Sequence, residues 1–379
     1  MRLLAVNHLL DPVSGGGTAE RTSQLARVLA AAGAQCTVLT LDIGIDDTRR
    51  AAMGNVRIVA LPCLARRYFV PRVSWRRIKS EVAAADVVHI MGHWTLLNAL
   101  VFLAARSAGR PHVVCPAGAL PLIGRSRLLK RLYNFLVGDR LIRSASGHIA
   151  ITPAELPDFA AHGVSPARVT VIPNGAPPAA GRPAGCASFL ERHGLARRRF
   201  VLFLGRLAYV KGPDLLLEAY AGAAGRLADV DLVYAGPDDG MLAQLKREAS
   251  RLGVGSRVRF TGYAGGEDKA CLLHACEFLA IPSRQEAMSI VVLEAGTHAK
   301  AVLLTDRCGF DEVEQVGGGR VCPATAGALE TALVEMAADP AALARMGGRL
   351  AAHVASHYTW ERAAARHAEL FRRVAGNPG

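Results

Sequence analysis

Short apolar runs alternate with helix-like segments along almost the whole chain, and this alternation limits the fold more than any other feature of the sequence. Strands that alternate with helices predict an α/β protein with parallel sheets. Seven runs in the first half have the length and aliphatic content of buried parallel strands: residues 3–9, 36–42, 56–62, 87–92, 112–118, 147–152 and 169–175. Five more follow: residues 200–206, 230–236, 258–263, 277–283 and 301–306.

A segment rich in Pro, Gly and Ala, residues 176–199, interrupts the alternation once and is expected to contain a short helix. We therefore predict two doubly wound, Rossmann-like domains, which suits a length of 379 residues. The predicted divisions are an N-terminal domain at 1–178, a linker at 179–199, a C-terminal domain at 200–358 and a C-terminal helix at 359–379 that packs on the N-terminal domain. Helices are expected at 18–32, 213–227, 240–252, 267–275, 289–299 and within 340–375.

The composition favours a large buried core, because 51% of the residues are hydrophobic and 20% are charged. No apolar run reaches the length of a membrane span, and the N-terminus indicates a first strand rather than a signal peptide. The eight cysteines are expected to be core thiols, not disulfides or metal ligands.

The positive charge is concentrated in the first half of the chain. Residues 1–180 hold 21 Lys and Arg against 10 Asp and Glu, whereas residues 181–379 hold 24 against 22. Such an imbalance predicts a polyanionic partner: nucleic acid, anionic lipid or a phosphorylated substrate. The alternative is a surface rich in arginine that binds none of these.

Two loops have the composition of phosphate sites. Gly16 and Gly17 lie between the first strand and a helix, where glycine lets a backbone approach a ligand and a helix N-terminus attracts phosphate; a turn made for packing is about equally expected. In GRLAYVKG, residues 205–212, Arg206 ends a buried strand and Lys211 precedes the next helix. Two cations at the carboxyl edge of a parallel sheet suit a diphosphate, although an ordinary basic turn has the same sequence.

The segment SRQEAMSIVVLEAG, residues 283–296, places two carboxylates around an apolar run. We predict that Glu286 lies in the loop after a strand, that a helix begins near Ser289, and that Glu294 lies about one turn into it. Carboxylates there can accept hydrogen bonds from sugar and ribose hydroxyls. The alternatives are a capping box formed by Ser283 and Glu286, and a solvated helix position for Glu294.

Taken together, these segments resemble the family 4 retaining glycosyltransferases of GT-B fold. SRQEAMSIVVLEA is similar to the family's segment with Glu, seven residues and a second Glu, and GRLAYVKG to its diphosphate loop. VTVIPNG, DVVHIMGHW, GHIAITPAE and the N-terminal glycine segment also resemble family segments, in the same order. The resemblance implies two Rossmann-like domains, with the donor held mainly by the C-terminal one.

The resemblance also implies residue roles. Arg206, Lys211 and Glu286 would be catalytic, the two cations on the donor's diphosphate and the carboxylate on the hydroxyls of the transferred sugar. The other donor-binding positions would be Gly16, Gly17, Gly205, Gly262, Tyr263, Met288, Ser289, Ile290 and Glu294, with Glu294 on the ribose. No cofactor and no metal ion are expected, since the resemblance implies a family that needs no divalent ion.

The chain departs from the family pattern twice. Ala287-Met288-Ser289 stands where the family has Gly-Phe-Gly, so we expect an altered donor pocket. Ala117 stands where a histidine often contacts the transferred sugar. His93, in the loop after a strand, is the candidate to assist on the acceptor side, although a structural role is expected more often for any one histidine.

Two basic segments of the first half contain apolar side chains. Residues 66–79 alternate arginines with aromatic residues, and residues 125–143 form a basic amphipathic helix that either contacts an anionic membrane or docks on its own domain. We expect a cytoplasmic glycosyltransferase, peripheral on the inner face of the membrane. It would transfer sugar from a nucleotide-sugar to a glycan or lipid-linked acceptor in polysaccharide or glycoconjugate biosynthesis. The alternatives are a nucleotide-sugar epimerase on the same fold, a non-catalytic nucleic-acid or membrane binder, and a scaffold that binds donor without turnover.

Overall fold

The chain folds into two compact units, as shown by a computed structural model that describes residues 1–72, 74–122, 126–177 and 181–376. The first unit combines residues up to Gly175 with a C-terminal helix that begins at Trp360, and the second runs from Ala176 to Thr359. Each unit is built on one fully parallel sheet. The predicted α/β fold class with two doubly wound domains is confirmed.

The first sheet has seven strands, which run from one edge to the other in the order β3-β2-β1-β6-β7-β8-β9 once the strands are numbered along the chain. Their bounds are β1 (Arg2–Val6), β2 (Gln35–Leu41), β3 (Arg57–Leu61), β6 (Val87–Met91), β7 (His112–Cys115), β8 (Gly147–Ala150) and β9 (Val169–Val171). A short antiparallel pair, β4 (Cys63–Ala65) and β5 (Val70–Pro71), follows β3; the sequence did not indicate it, because neither strand is long enough to show a period.

Helices cover both faces of this sheet. Their bounds are α1 (Pro12–Ala31), α2 (Asp47–Ala52), α3 (Trp75–Ala84), α4 (Leu96–Ser107), α5 (Arg127–Tyr133), α6 (Asp139–Arg143), α7 (Leu156–Ala161) and α16 (Trp360–Gly376). A π-helical segment, Asn134–Gly138, joins α5 to α6, and short 3₁₀ turns lie at Arg66–Tyr68, Pro153–Glu155 and Pro166–Arg168.

The second sheet has six strands in the order β12-β11-β10-β13-β14-β15. Their bounds are β10 (Arg199–Leu204), β11 (Val230–Ala235), β12 (Val258–Gly262), β13 (Phe278–Ile281), β14 (Ala301–Thr305) and β15 (Gly319–Cys322). The helices are α8 (Cys186–Arg192), α9 (Pro213–Ala223), α10 (Leu242–Arg251), α11 (Gly266–Ala275), α12 (Ile290–Thr297), α13 (Glu312–Gln315), α14 (Ala326–Ala337) and α15 (Pro340–His357), with 3₁₀ turns at Tyr209–Lys211 and Gly255–Arg257.

In both sheets the first strand lies in the interior. The next two strands are added towards one edge, and the chain then returns to the other side of the first strand, so that the strand order reverses there. The reversal lies between β1 and β6 in the first sheet and between β10 and β13 in the second. At such a point the loops that follow the two neighbouring strands run in opposite directions, and a crevice opens between them. Doubly wound sheets bind their ligands in this crevice.

The described part of the predicted linker, residues 179–199, belongs to the second unit. The short helix expected there is α8, which buries Cys186, Phe189 and Leu190 and packs on α11. The sequence indicated the helix but not its packing, because local composition does not show which side chains find a neighbour.

The helix after the glycines begins earlier than predicted, at Pro12 instead of Thr18. Asp11 caps it by accepting hydrogen bonds from the N–H groups of Val13 and Ser14. Gly16, with φ of +56° and ψ of −143°, breaks the helical path and kinks the helix. This left-handed conformation favours glycine, so the glycines form a kink inside a helix rather than a loop before it.

The C-terminal helix α16 completes the first unit by packing on α1 and β6. Its residues His367 and Phe371 are fully buried, and both rings lie against the ring of His89 on β6, at centroid distances of 5.7 and 5.3 Å. Arg21 of α1 is also buried and donates to the Asn174 side chain and the Ile172 carbonyl, both at 2.8 Å. His89 therefore has a packing role.

Candidate active site

The second unit gathers most of the predicted site residues at the reversal of its sheet. Gly205 and Arg206 follow β10, and the loop that carries Glu286 follows β13, its neighbour in the sheet. The Gly205 N–H donates to the Ala235 carbonyl at the end of β11, at 2.9 Å. Two loops that the sequence separates by about 80 residues thus leave adjacent strands at the same edge.

Lys211 and Glu286 form an ion pair across these two loops. The Glu286 side chain is 6% exposed, and its second oxygen, Oε2, is buried without a hydrogen-bond partner among the residues that the structure describes. Burial, with a smaller contribution from the neighbouring Arg206 guanidinium, lowers the pKa of Lys211 to about 8. An unsatisfied buried acceptor is costly unless a donor is supplied, so Oε2 is open to a hydrogen bond from a bound molecule.

The Lys211 loop lies against the Glu286 loop at Gly212. Gly212 has φ of +67°, and a Cβ atom there would collide with the Pro282 carbonyl. Only glycine satisfies both the left-handed backbone and this close approach.

Arg206 is more exposed than Lys211 and donates to Asp239 at 2.8 Å. Asp239 lies in the loop after β11, next to Asp238, which accepts three backbone N–H bonds of 2.9 to 3.0 Å that start α10. Because Arg206 and Asp239 are 42% and 51% exposed, their ion pair is weak and solvent-screened. A more strongly charged anion can displace the carboxylate at little cost.

Glu294 lies on α12, about one turn from its first residue Ile290, as the spacing predicted. The carboxylate is 7% exposed and contacts the Lys269 ammonium of α11 at 2.6 Å. The two glutamates therefore have different cationic partners, Lys211 for Glu286 and Lys269 for Glu294. The predicted alternatives, a capping box at Ser283 and a solvated Glu294, are wrong, because residues 282–289, all described, contain no helix start and Glu294 is buried.

The other predicted donor positions lie at the same carboxyl edge. Met288 and Ser289 are buried just before α12, and Ser289 occupies its N-cap without a side-chain capping bond. Gly262 ends β12, and Tyr263 after it is 48% exposed. The start of α12 directs N–H groups towards a position where an anion is stabilised.

The first unit holds the remaining predicted residues at the reversal of its own sheet. Gly16 and Gly17 lie on α1 after β1, and His93 follows β6. His93 is buried, its Nε2 lies 2.9 Å from the Asn134 side-chain oxygen, and burial lowers its pKa to about 4. His93 is therefore a neutral, packed imidazole, which agrees with the predicted alternative of a structural role for this histidine.

Ala117, in the loop after β7, has a left-handed backbone with φ of +54°. The next N–H, that of Gly118, donates to Glu155 at 2.7 Å, and Glu155 also accepts from the Ile151 and Thr152 N–H groups. Sequence reasoning did not single out Glu155. The signal that could have found it is the capping box formed by Thr152 and Glu155, three residues apart.

Sequence reasoning also missed the partners of the site residues: Asp239, Lys269 and the pair Arg284–Asp214. Each lies far along the chain from the residue it contacts, so only the fold brings them together. Among the described residues, no group of three or more His, Cys, Asp or Glu side chains is arranged to hold a metal ion. The eight cysteines are unpaired.

Comparison with known proteins agrees with this geometry. Residues 190–350 match the sequence model described as "Glycosyl transferases group 1", and residues 16–175 match "Glycosyl transferase 4-like domain". The D-inositol 3-phosphate glycosyltransferase of Streptomyces scabiei (strain 87.22) is 29% identical over 313 residues, covering 76% of this chain and 67% of the relative. The alpha-D-kanosaminyltransferase of Streptomyces kanamyceticus is 30% identical over 190 residues, covering 50% and 49%.

Among solved structures, Anabaena HepE, crystallised in complex with UDP and glucose, superposes with a TM-score of 0.81 at 20% identity, covering 98% of this chain and all of HepE. The alignments with the first curated relatives span about half to two thirds of the relatives' own lengths.

Two doubly wound parallel-sheet units that superpose on HepE over nearly their whole length place the chain in the GT-B fold class. The matches over both units decide the family: this chain belongs to the family 4 glycosyltransferases of GT-B fold. The family predicted from the sequence is confirmed.

Proposed function

We propose that the protein is a retaining glycosyltransferase that moves a sugar from a nucleotide-sugar to a glycan or lipid-linked acceptor, in polysaccharide or glycoconjugate biosynthesis. The observation that carries the proposal is the partly buried ion pair of Lys211 and Glu286, with Arg206 beside it, at the reversal of the second sheet. This arrangement holds a cation and a hydroxyl acceptor side by side, as a sugar diphosphate requires.

Lys211 and Arg206 bind the diphosphate and stabilise the charge that grows on it as the sugar leaves. Lys211 is pre-positioned by its loop and needs little reorganisation, and such fixed charges in a desolvated site contribute strongly to catalysis. Arg206 exchanges its contact with Asp239 for the phosphate. These two cations supply the positive charge that the leaving group needs, so we propose catalysis without a metal ion or other cofactor.

Glu286 holds the transferred sugar through Oε2, which accepts from a sugar hydroxyl while Oε1 remains with Lys211. The acceptor oxygen forms its bond to the anomeric carbon on the same face from which the phosphate departs, and the acceptor's proton passes to the departing phosphate oxygen. Attack on that face retains the anomeric configuration.

Glu294 accepts from the ribose hydroxyls, and the N–H groups at Met288, Ser289 and Ile290 bind phosphate and sugar at the start of α12. Tyr263 and Gly262, at the end of β12, lie near the base. HepE was crystallised with UDP and glucose, which makes UDP the first nucleotide to test here.

Titration calorimetry with UDP, GDP and ADP, followed by a transfer assay with the corresponding nucleotide-sugars, tests the proposal. We expect micromolar to millimolar binding of one diphosphate and nucleotide release that depends on an acceptor. Binding without release would favour a donor-binding scaffold, and epimerised donor without transfer would favour an epimerase. Absence of binding to all three nucleotides would reject the proposal.

The acceptor is proposed to be presented at a membrane surface, because one face of the first unit is both basic and apolar. This face, formed by residues 127–136, exposes Leu128 and Phe135 at 80% of their area and Leu129, Leu132 and Leu136 at more than half. Burying each such side chain would gain about 1.5–3 kcal/mol, so water is a poor environment for the face.

The face carries Arg127, Lys130 and Arg131, and we propose that it docks peripherally on an anionic membrane. Arg125 of the predicted segment lies outside the described residues. None of the described helices combines the length and apolarity needed to span a bilayer.

Other side chains of residues 127–136 contact the loop after β6, where His93 lies. Tyr133 packs edge-on against His93 and Trp94, at centroid distances of 5.4 and 5.8 Å, and the Lys130 ammonium lies 5.2 Å from the Trp94 ring centroid. Trp94 in turn donates to the Ala119 carbonyl, in the loop of Ala117. We propose that this loop pair forms the acceptor side of the site, with His93 as a packed support.

A further inference from the structure

Arg284 contacts the Lys211 loop and the start of α9 through both terminal nitrogens of its guanidinium. Arg284 lies two residues before Glu286, in the loop after β13. Its Nη1 donates to the Tyr209 carbonyl at 2.7 Å and to Asp214 at 2.8 Å, and its Nη2 donates to the second Asp214 oxygen at 2.7 Å. The guanidinium carbon also lies 3.9 Å from the centroid of the Tyr209 ring.

The backbone repeats this connection. The Arg284 N–H donates to the Val210 carbonyl at 2.8 Å, immediately before Lys211, and Gly212 immediately after Lys211 lies against Pro282. Lys211 is therefore held on both sides by the loop that carries its partner Glu286.

The chemistry of this contact requires arginine. A guanidinium is planar, so it can donate two parallel hydrogen bonds to a carboxylate while its face stacks on an aromatic ring. A lysine ammonium cannot do both. The side chains of Arg284 and Asp214 are 22% and 29% exposed, so solvent screens this pair less than a surface pair.

We propose that Arg284 is a positioning residue that fixes Lys211 for the donor's diphosphate, with Asp214 and Tyr209 as its anchors. Arg284 acts through Lys211 and does not itself contact the donor. The proposal rests on the proposed function, because it assigns Lys211 to the diphosphate.

A double-mutant cycle measured by UDP calorimetry tests it, with the full chain in four forms: wild type, Arg284→Gln, Lys211→Ala and the double variant. If Arg284 acts through Lys211, Arg284→Gln weakens UDP binding about tenfold in the wild-type background and less than about twofold in the Lys211→Ala background. Arg320→Gln, which removes an exposed arginine paired with Glu335 at 2.7 Å, is the matched control and leaves binding unchanged.

Two further variants separate geometry from charge and from folding. Arg284→Lys keeps the charge and loses the fork, so its affinity stays close to that of Arg284→Gln. Asp214→Asn weakens the same contact from the first turn of α9. If Arg284→Gln fails to fold, Asp214→Asn replaces it in the double-mutant cycle with Lys211→Ala.

The two proposals fail differently. Wild-type protein that binds neither UDP nor GDP nor ADP overturns the function and with it the role of Lys211. Wild-type protein that binds one of them, with effects of Arg284→Gln and Lys211→Ala that add fully, overturns the positioning role alone; whichever diphosphate binds is the probe for the cycle. Full recovery by Arg284→Lys overturns it too, since charge alone would then suffice.

Discussion

Lys211 and Glu286 meet across the two strands at which the second sheet reverses its order, and one carboxylate oxygen of Glu286 stays buried with no partner in the described part of the chain. The ion pair keeps the cation and the acceptor oxygen at fixed positions before any donor binds. Pre-organisation of this kind lowers the reorganisation that the reaction needs.

Replacement of Lys211 or Arg206 by Ala should lower turnover at least about tenfold each, or about 1.4 kcal/mol of transition-state stabilisation. The loss should be larger for Lys211, because Arg206 is exposed and its phosphate contact is screened by solvent. Initial rates of nucleotide release measure the effect, with Arg320→Ala as the control. Wild-type rates in both folded variants would refute the diphosphate assignment.

Replacement of Glu286 and Glu294 by Gln should have effects that differ in kind. Glu286→Gln should lower the rate of transfer more than the nucleotide affinity, because Oε2 is assigned to the sugar and the amide oxygen can still accept a hydrogen bond from Lys211. Glu294→Gln should weaken binding of the free nucleotide, because the ribose loses its charged acceptor. Calorimetry with nucleoside diphosphate separates the two, and an unchanged affinity in Glu294→Gln would contradict the ribose assignment.

The pH dependence of diphosphate binding should follow Lys211. Its pKa of about 8 in the free enzyme means that the ammonium is present below that pH and lost above it. Affinity should therefore fall as pH rises through about 8, by about tenfold towards pH 9.5. Arg206, Glu286 and Cys308 are the charged or titratable groups around Lys211.

Lys211→Arg is the diagnostic variant for this pH effect, because a guanidinium stays protonated throughout the range. Its affinity should be weaker than that of the wild type at neutral pH and nearly constant up to about pH 9.5. An alkaline fall of the same size in Lys211→Arg would assign the titration to another group.

Binding to anionic vesicles should depend on the basic and apolar face at residues 127–136. Replacing Arg127, Lys130 and Arg131 together by Gln should remove most of the salt-sensitive binding, at about 1 kcal/mol for each basic residue near the surface. Replacing Leu128 and Phe135 by Ser should remove the part that persists at high salt. Co-sedimentation at low and high salt measures both.

The control for this experiment is a triple Gln variant at Arg366, Arg372 and Arg373, which are exposed basic residues of α16 in the same unit. It should retain vesicle binding, and neither triple variant should change nucleotide affinity. Equal, negligible pelleting of the wild-type protein with neutral and anionic vesicles would reject membrane docking.

Ala117→Gly should stabilise the protein. The left-handed backbone at φ +54° costs an alanine about 1–2 kcal/mol, and glycine avoids this cost while losing some entropy, for a net gain of about 0.5–1 kcal/mol. Denaturant unfolding measures the change. Ala108→Gly, at φ −98° after α4, is the control and should not stabilise.

The sequence was sufficient to predict the elements that depend on local pattern. The apolar runs that became β10, β11, β13 and β14 match the observed strands closely, since a strand buried on both faces is continuously apolar. The position of Glu294 on a helix that begins at Ile290 followed from the same pattern.

The parts that were missed depend on contacts between distant residues. Asp239 and Asp214 look like ordinary loop and helix-start residues until the fold brings Arg206 and Arg284 to them. The segment 125–143 was predicted as one helix, but a π-helical segment at Asn134–Gly138 separates two α-helices in it. No local propensity encodes that change, because the same side chains suit both helix types.

The placement of α16 has a consequence for how the protein is made on the ribosome. All strands of the first sheet are synthesised by residue 171, but the helix that covers β6 emerges only after the whole second unit. Multidomain chains usually complete their N-terminal domain first. Here the nascent first unit must keep the surface around Arg21 and His89 exposed to solvent or chaperones until α16 is translated, so the unit that begins first is the last to be finished.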